Sequence, residues 1–128
     1  MADKKKILVV DDDPNIVRLI KARLEAHNYE IITAEDGEEC IQKVSSEKPD
    51  LVLLDILMPK ADGYNVLIGM KEIKELTGEI PIVPVIVLTA LSDPRVKNMI
   101  EKEEIKDYIV KPFNAEELLV KIKKALGE

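Results

Sequence analysis

Short apolar runs recur along the chain at Ile7 to Val10, Leu51 to Leu54, Val85 to Leu88 and Tyr108 to Val110. Each is too short for a helix and most are rich in branched side chains, so they read as buried strands. A further run, Glu30 to Ala34, alternates more and is expected nearer a sheet edge. The segments between them carry helix signals. Asp13-Pro14 pairs a capping side chain with a proline whose fixed φ suits the first helical turn, and that helix is predicted to reach about His27. Asp36 with Glu39 makes a start like a capping box, opening a helix towards Glu47 that Pro49 limits. A third helix is predicted over Tyr64 to Leu76 and a fourth from Asp93-Pro94. A fifth starts at Asn114, where Ala115, Leu118, Leu119, Ile122 and Leu126 keep helical spacing.

Buried strands that alternate strictly with amphipathic helices imply a parallel sheet covered on both faces, because each right-handed crossover returns a helix onto the sheet. The predicted fold class is α/β: a doubly wound five-stranded parallel sheet, order 2-1-3-4-5, with five helices, of the flavodoxin-like kind. Its switch point lies between the first and third strands, and ligands bind at the carboxyl ends there.

The 128 residues hold 46% apolar side chains and no low-complexity tract, which fits a single domain over residues 1–128 with residues 1–5 as a flexible tail. A net charge of -6 opposes non-specific binding to nucleic acid or anionic membrane, so neither is an expected direct partner. No apolar run is long enough for a signal segment or a membrane span. Cys40 is the lone cysteine, which excludes an internal disulfide and suits a reducing, cytoplasmic setting.

Polar residues gather at the predicted strand ends: Asp11, Asp12 and Asp13 after the first strand, Asp55 at the third, Thr89 at the fourth and Lys111 at the fifth. All share one edge of the sheet. Acids crowded at a switch point repel one another and raise at least one pKa unless a cation neutralises them. Mg²⁺, which takes one or two carboxylates plus waters and phosphate oxygens, answers that need. The Lys111 ammonium and the Thr89 hydroxyl can meet phosphoryl oxygens, and Asp55 is the candidate nucleophile because no cysteine or histidine lies on these strand ends. Such a set stabilises phosphoryl transfer electrostatically.

The text Ile7-Leu-Val-Val-Asp-Asp12, Leu53-Leu-Asp-Ile-Leu-Met-Pro-Lys-Ala-Asp-Gly63, Val87-Leu-Thr-Ala90 and Asp107-Tyr-Ile-Val-Lys-Pro-Phe113 resembles the receiver domains of response regulators. The resemblance runs from Ile7 to Leu126. It implies that Asp55 is the phosphoacceptor, that Asp11, Asp12 and Asp55 hold Mg²⁺ with the backbone carbonyl of Leu57, and that Thr89 and Lys111 bind the phosphoryl group. It implies a switch in which Thr89 moves towards the phosphate and Tyr108 turns inward, reshaping the face of the fourth helix, fifth strand and fifth helix. It also implies a cis Lys111-Pro112 bond. The donor would be a sensor histidine kinase or phosphotransfer protein, and output would pass to a separate downstream effector protein. On this reading the chain is no enzyme but a signalling phosphoacceptor that assists its own phosphorylation and dephosphorylation.

Plainer roles compete at several positions. Asp13 before Pro14 is more simply an N-cap than a metal ligand, and Asp62 before Gly63 likewise. His27 and the lysines of the last helix, Lys121, Lys123 and Lys124, suit a helix C-terminus. Asn28 tolerates the left-handed conformation that stops a helix. Cys40 reads as a small core residue, and Lys4 to Lys6 as a solvated tail. The sequence also departs from the resemblance. The stretch from Gly63 to Thr89 is lengthened around Pro81 and Pro84, which cannot donate to a strand ladder, and Glu104 stands where the family often has Gly. Leu57 and Leu91, which the resemblance puts at positions flanking the phosphorylation site, are both apolar, which predicts slow loss of the phosphoryl group to water. Two rivals remain: a haloacid-dehalogenase-like phosphohydrolase, for which Asp11 and Asp13 supply the pattern, and an interaction module that ignores phosphate.

Overall fold

The computed structural model describes residues 4–56, 63–78, 83–89, 94–102 and 105–128. Its elements alternate as β1 (Lys6–Val10), α1 (Pro14–Glu25), β2 (Glu30–Ala34), α2 (Gly37–Glu47), β3 (Leu51–Asp55), α3 (Gly63–Thr77), β4 (Val85–Thr89), α4 (Pro94–Glu101), β5 (Asp107–Val110) and α5 (Ala115–Ala125). The strands are parallel in the order β2-β1-β3-β4-β5, the predicted topology. Period-two alternation along each strand divides the core between the two faces of the sheet. Ile7, Val9, Leu51, Leu53, Ile86, Leu88 and Ile109 pack with Ile20 and Leu24 of α1 and Leu118 and Ile122 of α5. Leu8, Val10, Val52, Leu54, Val85 and Val87 pack with residues of α2, α3 and α4.

Capping follows the sequence signals. Asp13 is the N-cap of α1, accepting from Asn15 N–H at 2.9 Å, with Pro14 opening the helix. Asp36 accepts from Glu39 N–H at 2.8 Å, and the Glu39 carboxylate accepts from Glu35 N–H at 2.7 Å, one residue before the N-cap. Asn114 accepts from Glu117 N–H at 2.7 Å. Helix α1 ends at Glu25, two residues short of the predicted His27, and Asn28 takes the left-handed conformation at φ 71°. The Lys111-Pro112 peptide is cis.

Lys4 and Lys5 are exposed, and Lys6 departs from the expected solvated tail. The Lys5 carbonyl accepts from Glu30 N–H at 2.9 Å, and Lys6 begins β1. The Lys6 ammonium lies 3.4 Å from Glu47 and 3.6 Å from Glu30, while its N–H donates to Asp50 at 2.8 Å. Pro84 takes part in the sheet despite its missing donor: its carbonyl accepts from Val52 N–H at 3.0 Å. Cys40 is fully buried, and burial pushes its thiol up to about 12, which leaves it an inert core residue. Asp62, Pro81, Asp93 and Glu104 lie outside the described residues.

Candidate functional site

The carboxyl ends of β1, β3, β4 and β5 converge at one edge of the sheet, and the sequence changes there from apolar to polar. Along β1 and β3 every residue from Ile7 to Val10 and Leu51 to Leu54 is buried, so the acids that follow are carried into the protein by the strands themselves. Asp11 is 1% exposed and Asp55 is 3% exposed. Asp11 N–H donates to the Ala34 carbonyl at 3.2 Å, which fixes its backbone against β2. One Asp11 oxygen, Oδ1, accepts from Asp13 N–H at 2.9 Å.

Lys111 joins the acids. Its ammonium lies 2.5 Å from Asp55 Oδ2 and 3.9 Å from Asp11 Oδ2. The Lys111 backbone is held to the end of β4, donating to the Thr89 carbonyl at 2.8 Å, so the strand that carries Thr89 also aims Lys111. Thr89 is buried in the last position of β4. Asp11, Asp55, Thr89 and Lys111 are thus brought together as the sequence predicts.

The charge balance is unfinished. Among the described residues, Asp11 and Asp55 share the Lys111 ammonium, and Asp11 Oδ2 is buried without a hydrogen-bond partner. A buried carboxylate oxygen in that condition is costly. Burial raises the Asp11 carboxyl to about 6, with the Asp55 carboxylate beside it pushing the same way, against the opposing pull of Asp13 N–H and Lys111. A hard cation that used the orphaned oxygen would remove both penalties. Two carboxylates suffice for Mg²⁺, which keeps several waters, so the donors fit it. Asp12 is half-buried, and among the described residues no three His, Cys, Asp or Glu side chains converge as a metal-binding group. Leu57 and Leu91 lie outside the described residues.

Tyr108 lies outward on β5. The residue is 39% exposed, and the Lys121 ammonium stands 4.9 Å from its ring centroid. Lys121 also donates to the Tyr108 carbonyl at 2.5 Å and lies 3.5 Å from the Asp107 carboxylate. The basic residues of the last turn of α5 are Lys123 and Lys124, so Lys121 is occupied here rather than at the helix end. Helical charge pattern gave no sign of this, because the partner lies on another element.

The chain matches the family described as the response regulator receiver domain over residues 7–123. It is 46% identical over 126 residues to a probable transcriptional regulator, ycf27, of Cyanophora paradoxa, covering 97% of this chain and 49% of that protein. It is 40% identical over 122 residues to the alkaline phosphatase synthesis transcriptional regulatory protein PhoP of Bacillus subtilis, covering 95% of this chain and 48% of that one. The chain therefore spans about half the length of these curated relatives. Among solved structures, the chemotaxis protein CheY4 of Vibrio cholerae superposes with a TM-score of 0.83 at 28% identity, covering 96% of this chain and 99% of that one.

Proposed function

The chain belongs to the response regulator receiver family, a family of two-component signalling, and from that premise we propose that it takes a phosphoryl group onto Asp55 in a Mg²⁺-assisted reaction and thereby alters a partner-binding face. The observation that carries this reading is the buried Asp55 carboxylate paired with Lys111 and set beside Asp11, whose Oδ2 accepts no hydrogen bond among the described residues. A carboxylate oxygen of Asp55 attacks phosphorus, the new O–P bond forms, and the bond from phosphorus to the donor breaks, the donor leaving with the electron pair. With a phosphohistidine donor the leaving group is an imidazole nitrogen.

Lys111 neutralises charge on the transferring oxygens, a task its 2.5 Å contact with Asp55 prepares it for. Thr89 at the end of β4 donates to another oxygen. Asp11, Asp12 and Asp55, with the Leu57 carbonyl, would hold Mg²⁺, which supplies charge stabilisation to the phosphoryl oxygens when bound. Tyr108 turns inward once the phosphoryl group is in place, and the surface of α4, β5 and α5 changes with it. The donor is a sensor histidine kinase or phosphotransfer protein, and the receiving partner a downstream effector.

The phosphohydrolase reading is disfavoured by Asp13, whose carboxylate is engaged as the α1 N-cap rather than free for acid–base work. Intact-mass measurement after acetyl phosphate and Mg²⁺ tests the proposal. The parent is expected to gain one phosphoryl group and Asp55→Asn none. A parent protein that gains no phosphoryl mass overturns it.

A further inference from the structure

We propose that Lys121 is a positioning residue that clamps the Tyr108 ring outside the sheet edge and so sets how readily the switch turns, an inference that rests on the role given to Tyr108 above. Strand β5 is the last in the sheet, and among the described residues no strand lies beyond it. An edge strand leaves alternate N–H and C=O groups without a ladder partner. At Tyr108 both groups are taken up by side chains. The N–H donates to its neighbour Asp107 at 2.8 Å, and the C=O accepts from Lys121 at 2.5 Å. The same ammonium caps the Tyr108 ring at 4.9 Å and reaches the Asp107 carboxylate at 3.5 Å. One lysine from α5 therefore holds the backbone, the ring and the adjacent acid of a single residue.

The register shows that the outward ring is not dictated by the strand. Tyr108 pairs with Val87, and residues paired in a parallel ladder project to the same face. Val87 is fully buried in the core beneath α2, α3 and α4, whereas Tyr108 is 39% exposed. The Tyr108 Cβ thus starts towards a buried face while its ring lies at the rim, under the Lys121 ammonium. An aromatic ring gains from burial. A cation over an exposed ring opposes that gain by an amount that changes a population about two- to fivefold. Loss of the ammonium shifts the ring inward before any phosphoryl group arrives, and Arg, whose guanidinium also stacks on aromatic faces, keeps it out. The competing explanation is that Lys121 and Asp107 only blunt an exposed sheet edge, which predicts a change in stability without movement of the ring.

Fluorine NMR of the full chain carrying 3-fluorotyrosine separates the two, with the Tyr108 signal identified by its loss in Tyr108→Phe. In the unphosphorylated protein, Lys121→Met is expected to reduce the solvent isotope shift of the Tyr108 signal. It is also expected to lower, about two- to fivefold, the beryllium fluoride concentration that half-converts the protein in Mg²⁺. Lys121→Arg is expected to stay near the parent on both counts. A Lys121→Met protein with unchanged ring exposure and unchanged half-conversion overturns the clamp, whether or not its melting temperature falls, and so does an arginine variant that behaves like methionine. The phosphoacceptor reading fails separately, by absence of a phosphoryl mass gain in the parent, while ring exposure in the unphosphorylated protein still judges the clamp.

Discussion

Gly37 shows how one residue can be fixed by a neighbour distant in sequence. It is the first residue of α2, directly after the Asp36 cap, and a Cβ built on it would lie 2.6 Å from Val66 Cγ2 of α3. Val66 is itself buried against Leu67 and Met70, so its short branched side chain has little freedom to move aside. Alanine would ordinarily favour the helix by about 0.5–1 kcal/mol over glycine, but forced overpacking costs about 1–3 kcal/mol. The second effect is the larger. Gly37→Ala is expected to lower the urea midpoint by a net loss of about 1–2 kcal/mol with an unchanged m-value. Combined with Val66→Ala, the loss should be smaller than the sum of the two single losses, because the methyl group then has room. Strict additivity would show that the approach of α2 to α3 is not the cause.

At the scale of elements, the strands and their order were legible because every β-strand except the edges is a continuous apolar run, and only a fully covered parallel sheet buries such runs. The helix starts were legible for a different reason: Asp13, Asp36 and Asn114 are capping types and each accepts from the expected backbone donor. Asp36→Ala is expected to destabilise the protein by about 0.5–2 kcal/mol, read as a fall in melting temperature, and Asp36→Asn by much less. Equal losses from both variants would mean that charge rather than capping is at work. Contacts between elements could not be read locally. The bonding of Lys6 to Glu30, Glu47 and Asp50 joins residues that only the folded sheet brings together, and a basic cluster at the N-terminus looks the same whether solvated or paired. The Lys121 partner of Tyr108 escaped notice for the same reason, since strand periodicity fixes where a Cβ points but not what meets the end of a long ring. Asp11, Asp55, Thr89 and Lys111 were legible because topology alone sends all four strand ends to one edge.

For the molecule as a whole, that convergence stores an electrostatic cost in the fold that pH and Mg²⁺ relieve by different routes. Burial first, and then Asp55, raise the Asp11 carboxyl from its ordinary 3.8 to about 6. Between those values the folded protein retains a proton that the unfolded chain has released, so stability falls as pH rises through the window. Above about 6 both states are ionised and the whole penalty is felt. Asp11→Asn removes the ionised group while keeping its size. Without Mg²⁺ it is expected to be more stable than the parent by about 1–3 kcal/mol near pH 8, the difference shrinking towards pH 4. Mg²⁺ acts on the parent in the opposite pH range, because it needs the carboxylate ionised. At about a hundredfold excess over its dissociation constant it is expected to stabilise the parent by about 2.7 kcal/mol near pH 8, and by far less near pH 5 where the proton competes. Urea denaturation at both pH values, with and without Mg²⁺, measures all of this on one protein and one variant. An Asp11→Asn protein that keeps the full Mg²⁺ response would show that the cation is held elsewhere. A parent whose Mg²⁺ response is the same at both pH values would show that Asp11 does not titrate where its burial and its acidic neighbour put it.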